Sequence, residues 1–244
     1  MNQWVAKWTK IYLKCFINLI LYHRNVYPAA SFDFTTYQAF DLPQFTPMNR
    51  HPGLQNYIEE LVLDLISKLS HIYSLSLCIV SKEDNTCIER YVLSFHEFRH
   101  VDDIGLLSET DVFDEFRSCL NSLTAHLETL PYVKDDKVTF ETVINTMDME
   151  LGHRPENMTT LKTRQDLLAF NRATNWTKCQ EDEGYPNGNE NLGMYNPKIK
   201  MTSLVGCDVG PLIIQQHCEK LLASEKDLES FYCRDGRGSP FSPL

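Results

Sequence analysis

Residues 51–80 read HPGLQNYIEELVLDLISKLSHIYSLSLCIV, and the period of the apolar residues changes partway along. Leu54, Ile58, Leu61, Leu65, Leu69 and Ile72 recur every three or four positions, the spacing of one helical face. Pro52 stands where a first helical turn tolerates proline, because its missing N–H would be unpaired there anyway. At Leu75 the period becomes two: Leu75, Leu77 and Ile79 alternate with Ser74, Ser76 and Cys78, as side chains do on the two faces of a strand. The polar turn Lys82–Asn85 then leads into a second β-like run from Cys87 to Phe95. A helix running into such a hairpin is the seed of an α/β domain.

Upstream, Trp4, Trp8, Ile11, Cys15, Leu19, Tyr22 and Val26 keep the helical period, and Pro28 ends it. Phe16, Ile17, Ile20 and Leu21 make the other sides of this first helix apolar, so burial around most of its circumference is expected. The aromatic-rich stretch from Phe32 to Phe45, punctuated by Pro43 and Pro47, reads as irregular. Downstream, Ser108 with Asp111 three residues on forms a capping-box pattern ahead of Phe113, Phe116, Leu120, Leu123 and Leu127; Pro131 stops this third helix. Val138, Phe140, Thr142 and Ile144 alternate as a third strand would. Regularity fades over 152–198, which nonetheless keeps Trp176, Leu192 and Tyr195, and a second apolar block holds Leu204, Val205, Val209 and Leu212–Ile214. The expected fold is α/β (α+β), with three helices packed on a mostly antiparallel sheet.

The 33 acidic against 23 basic residues give a formal charge of −10, which does not favour a phosphate backbone, since Lys and Arg must replace its counterions. No strong direct contact with nucleic acid is expected. The eight cysteines are scattered without Cys-x-x-Cys pairs, so neither a disulfide framework nor a metal site is expected, and no cofactor. Ile11–Tyr22 is too short to span a membrane and is interrupted by Lys14 and Asn18. Gly206-Cys207-Asp208-Val209-Gly210 lacks the spacing of a nucleophile turn and reads as a turn between strands. His100 beside Asp102 and Asp103, and the acidic run Glu181–Glu183, read as solvated surface. A small hydrolase using Cys207 or His100 is the rival from another class; the pattern points away from an enzyme.

Particular strings carry a resemblance. Asn18–Pro28, His51–Ile58 (a His-Pro-x-Leu-x-x-Tyr-Ile helix start), the hairpin from Leu77 to Leu93, Asn175–Glu183 and Pro197–Gly206 stand in order. Together they resemble HORMA-domain proteins of the kind that serve as accessory subunits of translesion DNA polymerase zeta, above all the fungal type. The resemblance divides the chain into a HORMA core at 1–151, a C-terminal safety belt at 152–233, and a flexible tail at 234–244. It implies a nuclear, non-catalytic adaptor whose belt wraps a peptide of the polymerase zeta catalytic subunit and bridges it to the deoxycytidyl-transferase scaffold polymerase. Tyr57 corresponds to the family's peptide-channel tyrosine and Trp176 to its belt tryptophan; the residues alone favour ordinary core aromatics, and the motif context reverses that reading. The scaffold polymerase is expected on a surface of Lys198, Lys200, Leu204, Leu212, Ile214 and Gln216. Arg117, Asn121 and Thr124 on the third helix are candidates for HORMA–HORMA pairing, or a solvated face. The alternative is an adaptor of the spindle-checkpoint or meiotic-axis type.

Overall fold

The first helix, α1 (Gln3–His23), runs through the centre of the molecule, and between Tyr12 and Tyr22 almost every side of it is buried. The computed structural model describes residues 3–35, 46–69, 72–98, 108–146, 198–210, 212–222 and 231–233. Asn18, the polar residue in the buried stretch of α1, donates to Lys14 O at 2.8 Å and accepts from Asn49 N at 3.0 Å. Its amide is therefore satisfied where an unpaired one would be costly. The second helix, α2 (Pro52–Lys68), starts at His51 with Pro52 in its first turn and buries Leu54, Ile58, Leu61, Val62 and Leu65. The third, α3 (Glu109–Thr129), carries a complete capping box: Ser108 Oγ accepts from Asp111 N and the Asp111 carboxylate accepts from Ser108 N. Such a cap contributes about 1 kcal/mol.

The main sheet contains β3 (Ile72–Ser81), β4 (Cys87–Phe98), β5 (Val138–Thr146), β6 (Lys198–Asp208) and β7 (Leu212–Leu222) in the order β5-β3-β4-β7-β6, with every pairing antiparallel. Alternation sets its faces. Leu75 lies opposite Ile144 and Leu93, and Leu93 opposite Gln216, so one row of side chains crosses the sheet toward the helices. Two departures from the sequence reading stand out. The Phe32–Phe45 stretch begins with a strand, β1 (Phe32–Thr35), which pairs with β2 (Thr46–Asn49) in a separate two-stranded sheet. Pro47 is tolerated there because a strand of a two-stranded ribbon has a side that needs no ladder donor. Ile72, placed at the end of the α2 stripe by its spacing, is the first residue of β3.

Candidate functional site

The sheet has an unequal pair of edges. Along β5 one side pairs with β3, while no described strand pairs with the other. An unpaired strand edge presents backbone N–H and C=O groups that another extended chain can complete. Beside it, Tyr57 projects from α2 just off the buried Leu54–Ile58 stripe and stays 44% exposed. Its ring meets Phe140 of β5 edge-on at 6.0 Å, and Tyr27 meets the same Phe140 at 6.3 Å. These rings, with Ser31, Asn49, His51, Gly53 and Leu54, line a cleft of about 520 Å³. Burial raises the Tyr27 phenol above its ordinary value, so it enters as a neutral hydroxyl. Aromatic walls with a few polar tips suit the side chains of a bound peptide.

Asn49 organises the floor. Its Oδ1 accepts from His51 N at 2.8 Å and its carbonyl from Gln55 Nε2 at 2.6 Å, which ties β2 to the start of α2.

Beyond β4, the C-terminal hairpin of β6 and β7 completes the sheet. Helix α3 holds it through Ser122 Oγ, which accepts from Val205 N at 3.0 Å, and the Glu115 carboxylate, which accepts from Asp208 N at 3.2 Å. Tyr12 donates to Gln216 Oε1 at 2.7 Å under α1. The ladder shifts register between Leu204 and Cys207, and there a Cβ on Gly206 would come 2.4 Å from Ile214 O, so only glycine allows the approach.

The chain then returns to the core. Phe231 O accepts from Lys134 N and Cys233 N donates to Tyr132 O, each at 2.9 Å, which seats Tyr232 against β4. Its hydroxyl donates to Glu89 Oε1 at 2.7 Å, while Tyr91 donates to Oε2 at 2.8 Å. Arg24 Nε lies 2.9 Å from the same Oε2, off the line of a hydrogen bond, and Nη2 donates to Pro131 O at 2.7 Å. Both ionic side chains are at most 1% exposed. Burial alone would raise the Glu89 pKa, but Arg24 and the two tyrosine hydroxyls outweigh it and hold the carboxyl below its ordinary value. One buried carboxylate thus joins α1, β4, the loop after α3 and the C-terminal return.

Of the sequence-derived residues, Tyr57 lies at the cleft and Trp176 lies outside the described residues. So do His100, Asp102, Asp103, Glu181–Glu183 and the 234–244 tail. The residues drawn from Lys198 to Gln216 do not all share one exposed face. Lys198 and Lys200 are on β6, and Lys200 is exposed; Leu204 is partly buried against the core. Leu212, Ile214 and Gln216 are buried, because their shared face of β7 turns toward the helices. The exposed apolar residues of the hairpin are Ile199, Met201 and Val205. Arg117, Asn121 and Thr124 do share one side of α3; Asn121 is exposed and the other two half-buried. Cys207 is buried and its thiol is pushed far up, first by its contact with Cys119 and then by burial, the opposite of an activated nucleophile. Sequence reading missed Tyr27 and Phe140 as cleft residues; Phe140 was visible only as one of four alternating strand positions.

The described residues form a helix-backed antiparallel sheet with the C-terminal hairpin along one side and no described strand beyond β5 on the other, and the family model of the HORMA domain matches residues 5–161. The chain belongs to the HORMA-domain family and, within it, to the DNA polymerase zeta processivity subunits. It is 55% identical over 240 residues to the DNA polymerase zeta processivity subunit of Saccharomyces cerevisiae, covering 98% of this chain and 97% of that one. The mitotic spindle checkpoint component MAD2 of the same yeast is 32% identical over 141 residues, 53% of this chain and 67% of that one. Among solved structures, a chain of the mitotic checkpoint complex superposes with a TM-score of 0.60 at 16% identity, covering 88% of this chain and 97% of its own. Caenorhabditis elegans HTP-2 bound to the HIM-3 closure motif gives 0.58 at 12% identity, covering 88% and 89%.

Proposed function

We propose that the protein is a nuclear, non-catalytic adaptor of DNA polymerase zeta in translesion synthesis. A peptide of the catalytic subunit adds as a strand to the edge of β5 that no described strand pairs, its side chains entering the Tyr27–Tyr57–Phe140 cleft. The observation that carries this reading is the juxtaposition of the β5 edge, which no described strand pairs, with the aromatic cleft, in a chain 55% identical to a polymerase zeta processivity subunit. Trp176, from the belt segment, covers the peptide. Retention by a closed belt acts mainly on the off-rate. The opposite end of the sheet serves the deoxycytidyl-transferase scaffold polymerase, through Lys198, Lys200 and the exposed Ile199, Met201 and Val205. Arg117, Asn121 and Thr124 on α3 supply a surface for a second HORMA domain.

The test is a titration of the full chain with a proline-containing peptide from the catalytic subunit, alongside Tyr57→Ala, Trp176→Ala and Met201→Asp. Tight binding by the full chain is expected. Tyr57→Ala should weaken it at least tenfold, Trp176→Ala should speed release, and Met201→Asp should leave it unchanged while losing the scaffold polymerase. A folded chain that ignores this peptide but takes a checkpoint or meiotic closure peptide belongs functionally to another branch.

A further inference from the structure

Helix α2 begins without a side-chain cap. His51, its N-cap residue, bonds none of the first-turn N–H groups through its ring, and the first turn holds no acid. Pro52 has no N–H to offer, and the first intrahelical bond runs from Gln55 N to His51 O at 3.0 Å. The N–H groups of Gly53 and Leu54 are therefore left without an acceptor among the described residues. A Ser, Thr, Asp or Asn side chain satisfies one of these positions at many helix starts. Helix α3 of the same chain shows the contrast, since Ser108 and Asp111 cap its first turn. Gly53 and Leu54 line the Tyr27–Tyr57–Phe140 cleft, so the uncapped helix start borders it.

A further donor stands on the same wall. Asn49, only 3% exposed, lines the cleft, and its Oδ1 accepts from His51 N at 2.8 Å. That bond fixes which way round the amide sits, and Nδ2 is buried with no hydrogen-bond partner among the described residues. A buried amide left unpaired is costly. No Asp, Glu, Lys or Arg is among the described residues that line the cleft, so no charge on its walls neutralises these donors. Across Asn49 a second cleft, of about 360 Å³, does hold Lys14 and Glu59, but those two are paired with each other.

We propose that this end of the cleft is an acid subsite, where a Glu or Asp side chain of the bound peptide caps α2 from outside. The inference rests on the peptide-binding reading above and deepens it. The carboxylate oxygens accept from Gly53 N and Leu54 N, where the helix dipole also favours negative charge. The unpaired end of the Asn49 amide adds its positive pole to the same field. A single charge suits this wall better than a phosphate, which Arg or Lys would normally meet and none lines the cleft. Gly53 keeps the approach clear: it is exposed, and a Cβ there would stand 3.1 Å from His51 Cε1. The aromatic rings select apolar residues of the peptide, and the helix start sets their register.

The test titrates the full chain with the proline-containing catalytic-subunit peptide, in versions carrying Glu, Gln, Lys or phosphoserine at each non-proline position in turn. One position is expected at which Glu binds about tenfold tighter than Gln, with Lys weakest. His51→Asp supplies the missing cap from within the chain, so it should raise the urea midpoint. In that variant the ratio of Glu to Gln affinity should fall to about one or invert, because the helix start is already satisfied. Tyr57→Ala should weaken both versions and keep the ratio. Equal affinity of the Glu and Gln versions at every position overturns the inference and leaves the peptide cleft standing. A Glu preference that survives His51→Asp also overturns it, since the acid then lies elsewhere. Phosphoserine binding tighter than Glu overturns it in favour of a phosphopeptide. If no version binds, the peptide-cleft reading falls and takes this one with it.

Discussion

Replacing Tyr232 by Phe removes one oxygen from the core and leaves the ring in place. Lys220 Nζ, 4.0 Å above that ring, keeps its cation–π contact, and the backbone bridge to Val133 does not depend on the hydroxyl. What is lost is the 2.7 Å hydrogen bond to Glu89 Oε1. The other oxygen, Oε2, keeps Tyr91 and Arg24. A hydrogen bond to a buried charge contributes about 1.5–3 kcal/mol, so the expected loss is about 2 kcal/mol, roughly thirtyfold in the folded-to-unfolded ratio. The effect carries a pH signature. The folded pKa of Glu89 lies below the ordinary 4.5, so its contribution is complete above that value and is lost as pH falls through the folded one. The variant raises the folded pKa; its deficit is therefore full at neutral pH and shrinks in acid, where both proteins are protonated. Urea unfolding reads this as a lower midpoint at unchanged slope. Hydrogen exchange should show the Cys233 amide, bonded to Tyr132 O, losing protection first. Tyr57→Phe, at a 44% exposed site, is the control. If Tyr232→Phe shifts the midpoint no more than that control, the carboxylate does not anchor the C-terminal return.

Arg24→Met should cost about 3–5 kcal/mol, because it leaves Glu89 buried without its counter-charge. The Arg24→Met/Glu89→Met double variant should recover most of that loss, and a double-mutant cycle in urea measures the coupling. His23 has its pKa lowered from 6.5 to about 4, first by burial and then by Arg24. The neutral ring is therefore favoured in the fold, and stability is complete above 6.5 and falls as pH drops toward 4. The loss between pH 7 and 5 should be about 1–2 kcal/mol after allowing for partial exposure, and His23→Gln should flatten that part of the curve. Gly206→Ala should destabilise the chain by about 1–3 kcal/mol, since its Cβ would meet Ile214 O at 2.4 Å. Its peptide complex should also dissociate faster than that of the parent.

The helices were legible because each carries a long stripe with its own end signals: Pro28 after α1, Pro52 at the start of α2, and Ser108 with Asp111 ahead of α3. The hairpin and β5 were legible from alternation. Strands β1 and β2 were not, because four residues each, one of them Pro47, are too few to show a period. For β7, alternation groups Leu212, Ile214, Gln216 and Cys218 on one face, but the side that faces the helices is decided by pairing with β4. Family correspondence pointed that face at a partner, and the packing turned it inward. Tyr57 was reached by resemblance; its setting depends on Tyr27 and Phe140, which come from distant segments. The Arg24–Glu89 pair was invisible for the same reason. Nothing local in either sequence neighbourhood announces a partner in another element.

The two edges of the sheet connect fold to function. A long unpaired edge invites indiscriminate pairing, and proteins blunt it with bulges, charges or cover. At the β6 end the ladder is broken between Leu204 and Cys207, and Lys200 stands exposed on the edge strand. At the β5 end the register runs unbroken from Ser74/Asn145 to Ser81/Val138, along a strand rich in Thr, Val and Ile, beside an aromatic cleft. An edge this regular, which no described strand pairs, is stable in solution only if something specific completes it. Had the C-terminal hairpin docked on β5 instead of β4, the chain would have sealed that edge itself. Docking on β4 strengthens the sheet and leaves the β5 edge without a strand among the described residues, the edge that the proposed peptide would complete. The Glu89 cluster fixes the chain just beyond the hairpin, so under the proposed function it would set how long such a partner remains bound.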